Sequence, residues 1–251
     1  MEGPAPVLTV LILTEDGSKH AHATLEALAK KMFRLVEPAC QTQRERIGID
    51  PRDERTQQAM AGNLWKSTRR EDQQAIVDLR RSIATKLLER EVPGFVLFHF
   101  DGDRPWTKAS SSENTAKFGR VIRDPVGLLV AGRTPDGSPD PLSKLIPVIP
   151  FYSIEAWLYQ NTAGVRAEMK GQRGCKKADR QKLSAWEADP TLLDEVEVPK
   201  DNFCLGNRHN LALTEAFPAE KVLAVGKSFT ATIATMKACP PLIEALAATA
   251  I

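Results

Sequence analysis

Cysteine, histidine and tyrosine are scarce in these 251 residues, at four, four and two. Cys40, Cys175, Cys204 and Cys239 stand far apart with no C-x-x-C pair, which argues against both a zinc site and a disulfide framework. Reduced, buried thiols in a cytosolic protein are the expectation. An excess of charge is also missing, since 34 Lys and Arg stand against 32 Asp and Glu. A nearly balanced chain has no general attraction for nucleic acid, so any such contact must be local. Long apolar runs are absent too. Val7 to Leu13 lacks the basic flank and small-residue cleavage site of a secretory signal and runs straight into acids. Nothing later is long or apolar enough to span a bilayer. These absences lead to the expectation of a soluble, cytoplasmic protein with no membrane partner. The chain has no internal repeat and no low-complexity segment.

What is present suits one substantial α/β domain with a packed core. Val7 to Thr14 is short, apolar and bounded by turn residues, as expected of a strand buried on both faces. A glycine-bearing turn follows, then a helix on which Leu25, Leu28, Met32, Phe33 and Leu35 recur at helical spacing until Pro38. Residues 51–91 are polar and charged. Their later part places Ile76, Leu79, Ile83, Leu87 and Leu88 on one helix face, and Pro93-Gly94 opens a second apolar strand, Phe95 to Phe100. This order predicts a mostly parallel sheet with crossover helices. "RTPDGSPDPLSK" reads as an exposed loop, "LIPVIP" as a proline-interrupted edge strand, and a helix is expected to begin near Ser153 as N-cap. The expected organisation is a single domain over 1–251, with a helical insertion over 40–92 and a C-terminal helical extension over 205–251.

The second apolar strand runs into "DGD". Side chains alternate along a strand, so if the strand geometry persists Asp101 and Asp103 project to one side, with Gly102 leaving the backbone open. The crevice at the carboxyl ends of parallel strands is the usual ligand site, and Glu15 holds the equivalent place on the first strand. Converging carboxylates stay ionised only if a cation compensates them. Hard oxygen ligands with few histidines select magnesium or manganese over zinc, and magnesium favours phosphoryl chemistry. A D-x-D after a strand is also a common solvated turn.

Together, "LILTEDGSKHAHATLEAL", "LFHFDGDR" and "IPFYSIEAWLYQN" resemble the landmarks of Toprim-domain proteins, most nearly the RloB-like and overcoming-lysogenization-defect branches. In that pattern a strand ends in glutamate before a glycine turn, a later strand ends in D-x-D, and a segment like P-x-x-E-x-W-L carries another acid. Glu15, Asp101, Asp103 and Glu155 fall on those positions, in order through most of the chain. The first turn departs from the pattern: Asp16 intervenes before Gly17, and Lys19 or His20 replaces a later acid or threonine. The resemblance implies a Toprim-like (Rossmann-like) sheet with flanking helices and helical insertions, binding one or two Mg2+ (or Mn2+) ions and cutting phosphodiester bonds. Asp101 and Asp103 would hold metal, Glu15 would be ligand or base, and Glu155 would complete a second metal position. It further implies a nucleic-acid substrate, DNA or RNA, and an effector role in anti-phage defence beside an ABC-type ATPase partner, or as a homo-oligomer. Topoisomerase-type strand passage needs a nucleophilic tyrosine; Tyr152 and Tyr159 read as packing, so hydrolysis is favoured. The rival readings are a non-catalytic binding subunit and a small-nucleotide phosphohydrolase. Glu155 also reads as a helix-start glutamate that favours the helix dipole.

Arg104 and Lys108 are placed to hold a phosphate beside the acids. "KGQRGCKKADRQK", with Lys176, Lys177 and Arg180, and "WKSTRR" concentrate positive charge, either as nucleic-acid contacts or as solvated helix faces. His20 and His22 lack the i, i+4 spacing of a metal pair and read as a polar helix face. His99 shares a strand face with Asp101 and reads as a core histidine bonded to backbone. "AVGKSF" looks like the end of a P-loop, but Lys221 occupies the earlier glycine position, which argues against nucleotide binding. Lys227 and His209 are weaker candidates for the site.

Overall fold

Both apolar runs pair side by side at the centre of one sheet. The computed structural model describes residues 6–102, 112–133, 139–195 and 203–250. Its four strands are β1 (Leu8–Thr14), β2 (Ile47–Ile49), β3 (Gly94–His99) and β4 (Leu145–Val148), in the order β2-β1-β3-β4. Every pairing is parallel, with Val10 beside Phe95, Thr14 beside His99 and Phe98 beside Pro147. Pro147 cannot donate to a ladder, and β4 lies on the sheet edge, where a proline is tolerated.

The helices are α1 (Lys19–Val36), α2 (Glu54–Met60), α3 (Gln73–Leu87), α4 (Glu113–Phe118), α5 (Asp124–Val130), α6 (Glu155–Leu158), α7 (Thr162–Lys170), α8 (Lys177–Ala188), α9 (Thr191–Glu195), α10 (Asn210–Glu215), α11 (Ala219–Val225), α12 (Lys227–Lys237) and α13 (Pro240–Ala248). Leu8, Val10, Ile12, Phe95 and Leu97 face one core, shared with α1 and the helices from α6 onward. Leu13, Val96, Phe98 and Leu145 face a second, shared with α2, α3, α4 and α5. A strand buried on both faces must be apolar throughout, which is why β1 and β3 do not alternate in hydropathy. α1 starts at Ser18, whose Oγ accepts from the Ala21 N–H, and its Leu25, Leu28, Met32 and Phe33 are buried. The result is an α/β arrangement with a parallel sheet between helices, consistent with a Rossmann-like fold. No helix among the described residues is long and apolar enough to cross a membrane.

Several sequence expectations need correction. The segment 40–92 is not wholly helical, because Ile47–Ile49 adds an edge strand to the sheet; three residues carry too little pattern to reveal it. β3 ends at His99, one residue short of the expected Phe100, although Phe100 N–H and Gly102 N–H still bond Val148 O and Pro150 O and His99 and Asp101 face the same side. α6 is preceded by Ile154 rather than capped by Ser153, whose buried Oγ has no hydrogen-bond partner. Cys175 and Cys204 form a disulfide with Cα atoms 5.0 Å apart, while Cys40 and Cys239 are free and buried as expected. The bridging pair is separated by 29 residues and is brought together by tertiary folding, which spacing does not show.

Candidate active site

All strands point the same way, so their carboxyl ends share one edge of the sheet, and a cavity of about 320 Å³ opens there. The end of β1 and its turn supply Thr14, Glu15 and Asp16, and the first turns of α1 supply Ala21 and Thr24. The end of β3 supplies His99 and Asp101; Ile154 and Glu155 enter from α6, and Asn207 and Asn210 from the start of α10. Glu15, Asp101 and Glu155, named from the sequence, therefore line one cavity.

Glu15 is bonded through both carboxylate oxygens. Its backbone N–H donates to His99 O (3.1 Å), prolonging the β1–β3 pairing by one residue. Oε2 accepts from the Asp101 N–H (2.9 Å) and Oε1 from Lys66 Nζ (3.0 Å). Lys66 ends a 3-10 turn, Ala61–Lys66, in which Gly62 and Asn63 adopt φ of 60° and 64°. Trp65 anchors that turn, buried with its ring 5.3 Å from Phe98 and 5.4 Å from Phe100. The Lys66 ammonium lies 5.2 Å from the Trp65 ring centroid.

Asp101 reaches the cavity because the chain after β3 stays close to the chain after β4. Phe100 N–H donates to Val148 O (3.3 Å) and Gly102 N–H to Pro150 O (2.9 Å). A Cβ at Gly102 would stand 2.8 Å from the Phe151 carbonyl oxygen, so this approach requires glycine. His99 is buried as expected, its Nδ1 bonds the Thr14 hydroxyl (3.1 Å), and its Nε2 lies 3.9 Å from Asp101 Oδ1. His99 is thus part of the cavity wall.

Glu155 is 2% exposed. Its Oε1 accepts from Asn210 Nδ2 (2.8 Å), and Oε2 is buried with no hydrogen-bond partner. The Thr24 hydroxyl and Asn210 Oδ1, in the same wall, are likewise buried and unpartnered. Asp16 takes Ser18 N–H on one oxygen (2.9 Å) and Asn207 Nδ2 on the other (3.0 Å). Tyr159, one turn on from Glu155, is packed against Trp186 and Phe203 and donates to Leu205 O. Burial, with the Glu155 charge nearby, pushes its hydroxyl far above the ordinary tyrosine range, so it is a packing residue and not a nucleophile at neutral pH.

Asp103, Arg104 and Lys108 lie outside the described residues. Lys176, Lys177 and Arg180 are exposed at the start of α8 and do not line the cavity. His20 is exposed but His22 is buried, so they do not form one polar face. His209 is buried against Glu168 (2.8 Å), and Lys227 reaches Thr191 O (3.5 Å), away from the cavity. Among the described residues no three His, Cys, Asp or Glu side chains stand close enough together to hold a metal ion. No protein-family model, curated protein or solved structure matches the chain.

Proposed function

We propose that this chain is a metal-dependent phosphodiester hydrolase of Toprim-like type, acting on DNA or RNA. Glu155 carries the reading: a buried carboxylate in the strand-end cavity with one oxygen lacking any donor. An ionised carboxylate out of water is costly unless something compensates it, and a cation does so. The cavity offers carboxylate, hydroxyl and amide oxygens, a hard donor set that suits Mg2+ or Mn2+. Glu155 and Asp101 would hold the ion, and Asp103 keeps the ligand role its sequence position implies. A bound ion would supply charge neutralisation at the phosphoryl oxygens and a more acidic water. Glu15, held in place by Lys66 and the Asp101 amide, would act through the remaining lone pairs of its carboxylate, as a ligand or as the base that orients an attacking water. Lys66 brings positive charge to the same edge, where charge develops on the phosphoryl group. An effector role in anti-phage defence beside an ABC-type ATPase, or as a homo-oligomer, extends the proposal.

The test is cleavage of single- and double-stranded DNA and of total tRNA, with magnesium, manganese or chelator. Metal-dependent cleavage by wild type that is lost in folded Glu15→Ala and Glu155→Gln supports the reading. Cleavage that survives both substitutions, or persists in chelator, overturns it. A second reading, a non-catalytic binding subunit, is favoured by the Lys66–Glu15 pair, which neutralises that carboxylate without a metal. It predicts no cleavage by wild type and partner association that both variants retain.

A further inference from the structure

Arg208 stands between the acidic cavity and the most basic segment of the chain. Its neighbours Asn207 and Asn210 both line the cavity, bonded to Asp16 and Glu155. Arg208 is exposed, yet its guanidinium is held at two points: Nε donates to His209 Nε2 (3.0 Å) and Nη2 to Gln172 Oε1 (2.8 Å). For Nε2 to accept, the ring proton must sit on Nδ1, and Nδ1 faces Glu168 Oε2 (2.8 Å). Glu168 therefore sets the tautomer, and the tautomer sets the arginine. Neither partner is anionic, and among the described residues no carboxylate forms an ion pair with Arg208, so its charge remains available to a ligand.

Gln172 belongs to the turn between α7 and α8. Around it Lys170, Arg173, Lys176, Lys177 and Arg180 are all exposed. The segment's one acid, Asp179, is buried and occupied by the Lys176 backbone N–H (2.7 Å). The Cys175–Cys204 disulfide ties this turn to the chain just ahead of Asn207.

We propose that Arg208 is the inner end of a phosphate-binding track that leaves the cavity across the α7–α8 turn, and that the ligand is a nucleic-acid strand rather than a single nucleotide. The inference rests on the hydrolase reading for the position of the bond to be cut. A guanidinium fixed at two points presents its remaining N–H groups in the planar geometry that phosphate oxygens accept, and exposed lysines add sequence-independent charge. A mononucleotide carries no further phosphates for the cations beyond Arg208.

The experiment is a salt titration of a fluorescent single-stranded oligonucleotide, in chelator so that it stays intact, with AMP as the short competitor. The wild type is expected to bind the oligonucleotide well ahead of AMP, with a steep salt dependence. Arg208→Ala is expected to weaken binding uniformly across sequences and to lower the slope of log K against log salt by about one. Arg208→Lys restores charge without the planar fork and is expected to recover the slope more than the affinity. Lys176→Glu with Lys177→Glu is expected to lower the slope further. Wild-type affinity and slope in both Arg208→Ala and the paired lysine variant overturn the track, as does equal preference for AMP. Cleavage is scored separately: a track that passes this test while no metal-dependent cleavage is found removes the hydrolase reading alone.

Discussion

Glu155 and Asp194 are both buried carboxylates, 2% and 0% exposed, and their surroundings treat them differently. Asp194 accepts from the Ser228 hydroxyl (2.8 Å) and the Ser228 N–H (3.2 Å), and that hydroxyl in turn accepts from Trp157 Nε1 (2.7 Å). Glu155, on the same short helix as Trp157, has one oxygen bonded and the other bare at a cavity wall. A carboxylate closed by its own neighbours is part of the framework, whereas one left open at a cavity is where the proposed cation would sit. The contrast also disposes of the P-loop likeness. Asp194 occupies the Ser228 amide in the first turn of α12, where a P-loop would seat phosphate, so that helix start already holds its anion.

Asp194→Ala should have the largest effect on stability. It strands the Ser228 amide and hydroxyl, and urea unfolding should show a loss of about 2–4 kcal/mol, with the cavity chemistry unchanged per folded molecule. Gly102→Ala comes next. Its Cβ collides with the Phe151 carbonyl, so about 1–3 kcal/mol should be lost and cleavage should fall as Asp101 is displaced. Glu155→Gln should invert the pattern set by Asp194, because it removes a buried charge while keeping an oxygen for Asn210. Stability should stay level or rise by about 1 kcal/mol while metal-dependent cleavage disappears. A large destabilisation by Glu155→Gln would erase the distinction between the two acids.

The smallest effect is on pH dependence. Burial lowers the His22 pKa from its ordinary 6.5, with Glu26 opposing and Arg52 adding to the shift. The folded state thus favours the neutral ring, and below about 6.5 the unfolded chain binds the extra proton, so stability falls as pH drops through the lowered folded value. His22→Gln should flatten that part of the stability profile in thermal melts between about pH 7 and pH 5.

Glu15 and Asp101 were legible in the sequence because each stands where an apolar run stops, and Glu155 through the resemblance of its motif; topology then places all three on one sheet edge. The central strands were legible for a similar reason, since burial on both faces makes them uninterrupted apolar runs. Lys66 was not, because a 3-10 turn with two left-handed residues delivers it from a segment read only as basic. Asn207 and Asn210 reach the cavity through the packing of α10 against α1, a long-range event that local pattern does not encode. Their polar spacing in "GNRHN" was the available signal. The Cys175–Cys204 bridge and the three-residue β2 escaped notice because pairing between distant segments, not composition, creates them.

The central claim is that the open oxygen of Glu155 awaits a divalent cation. Manganese binding followed by electron paramagnetic resonance, on wild type and Glu155→Gln, tests it without requiring any substrate. The account predicts saturable Mn2+ binding by the wild type, displaced by Mg2+ and weakened at least about tenfold by the substitution, the cost of losing one charged ligand. Absence of binding by the wild type, or equal binding by a folded Glu155→Gln, would contradict it.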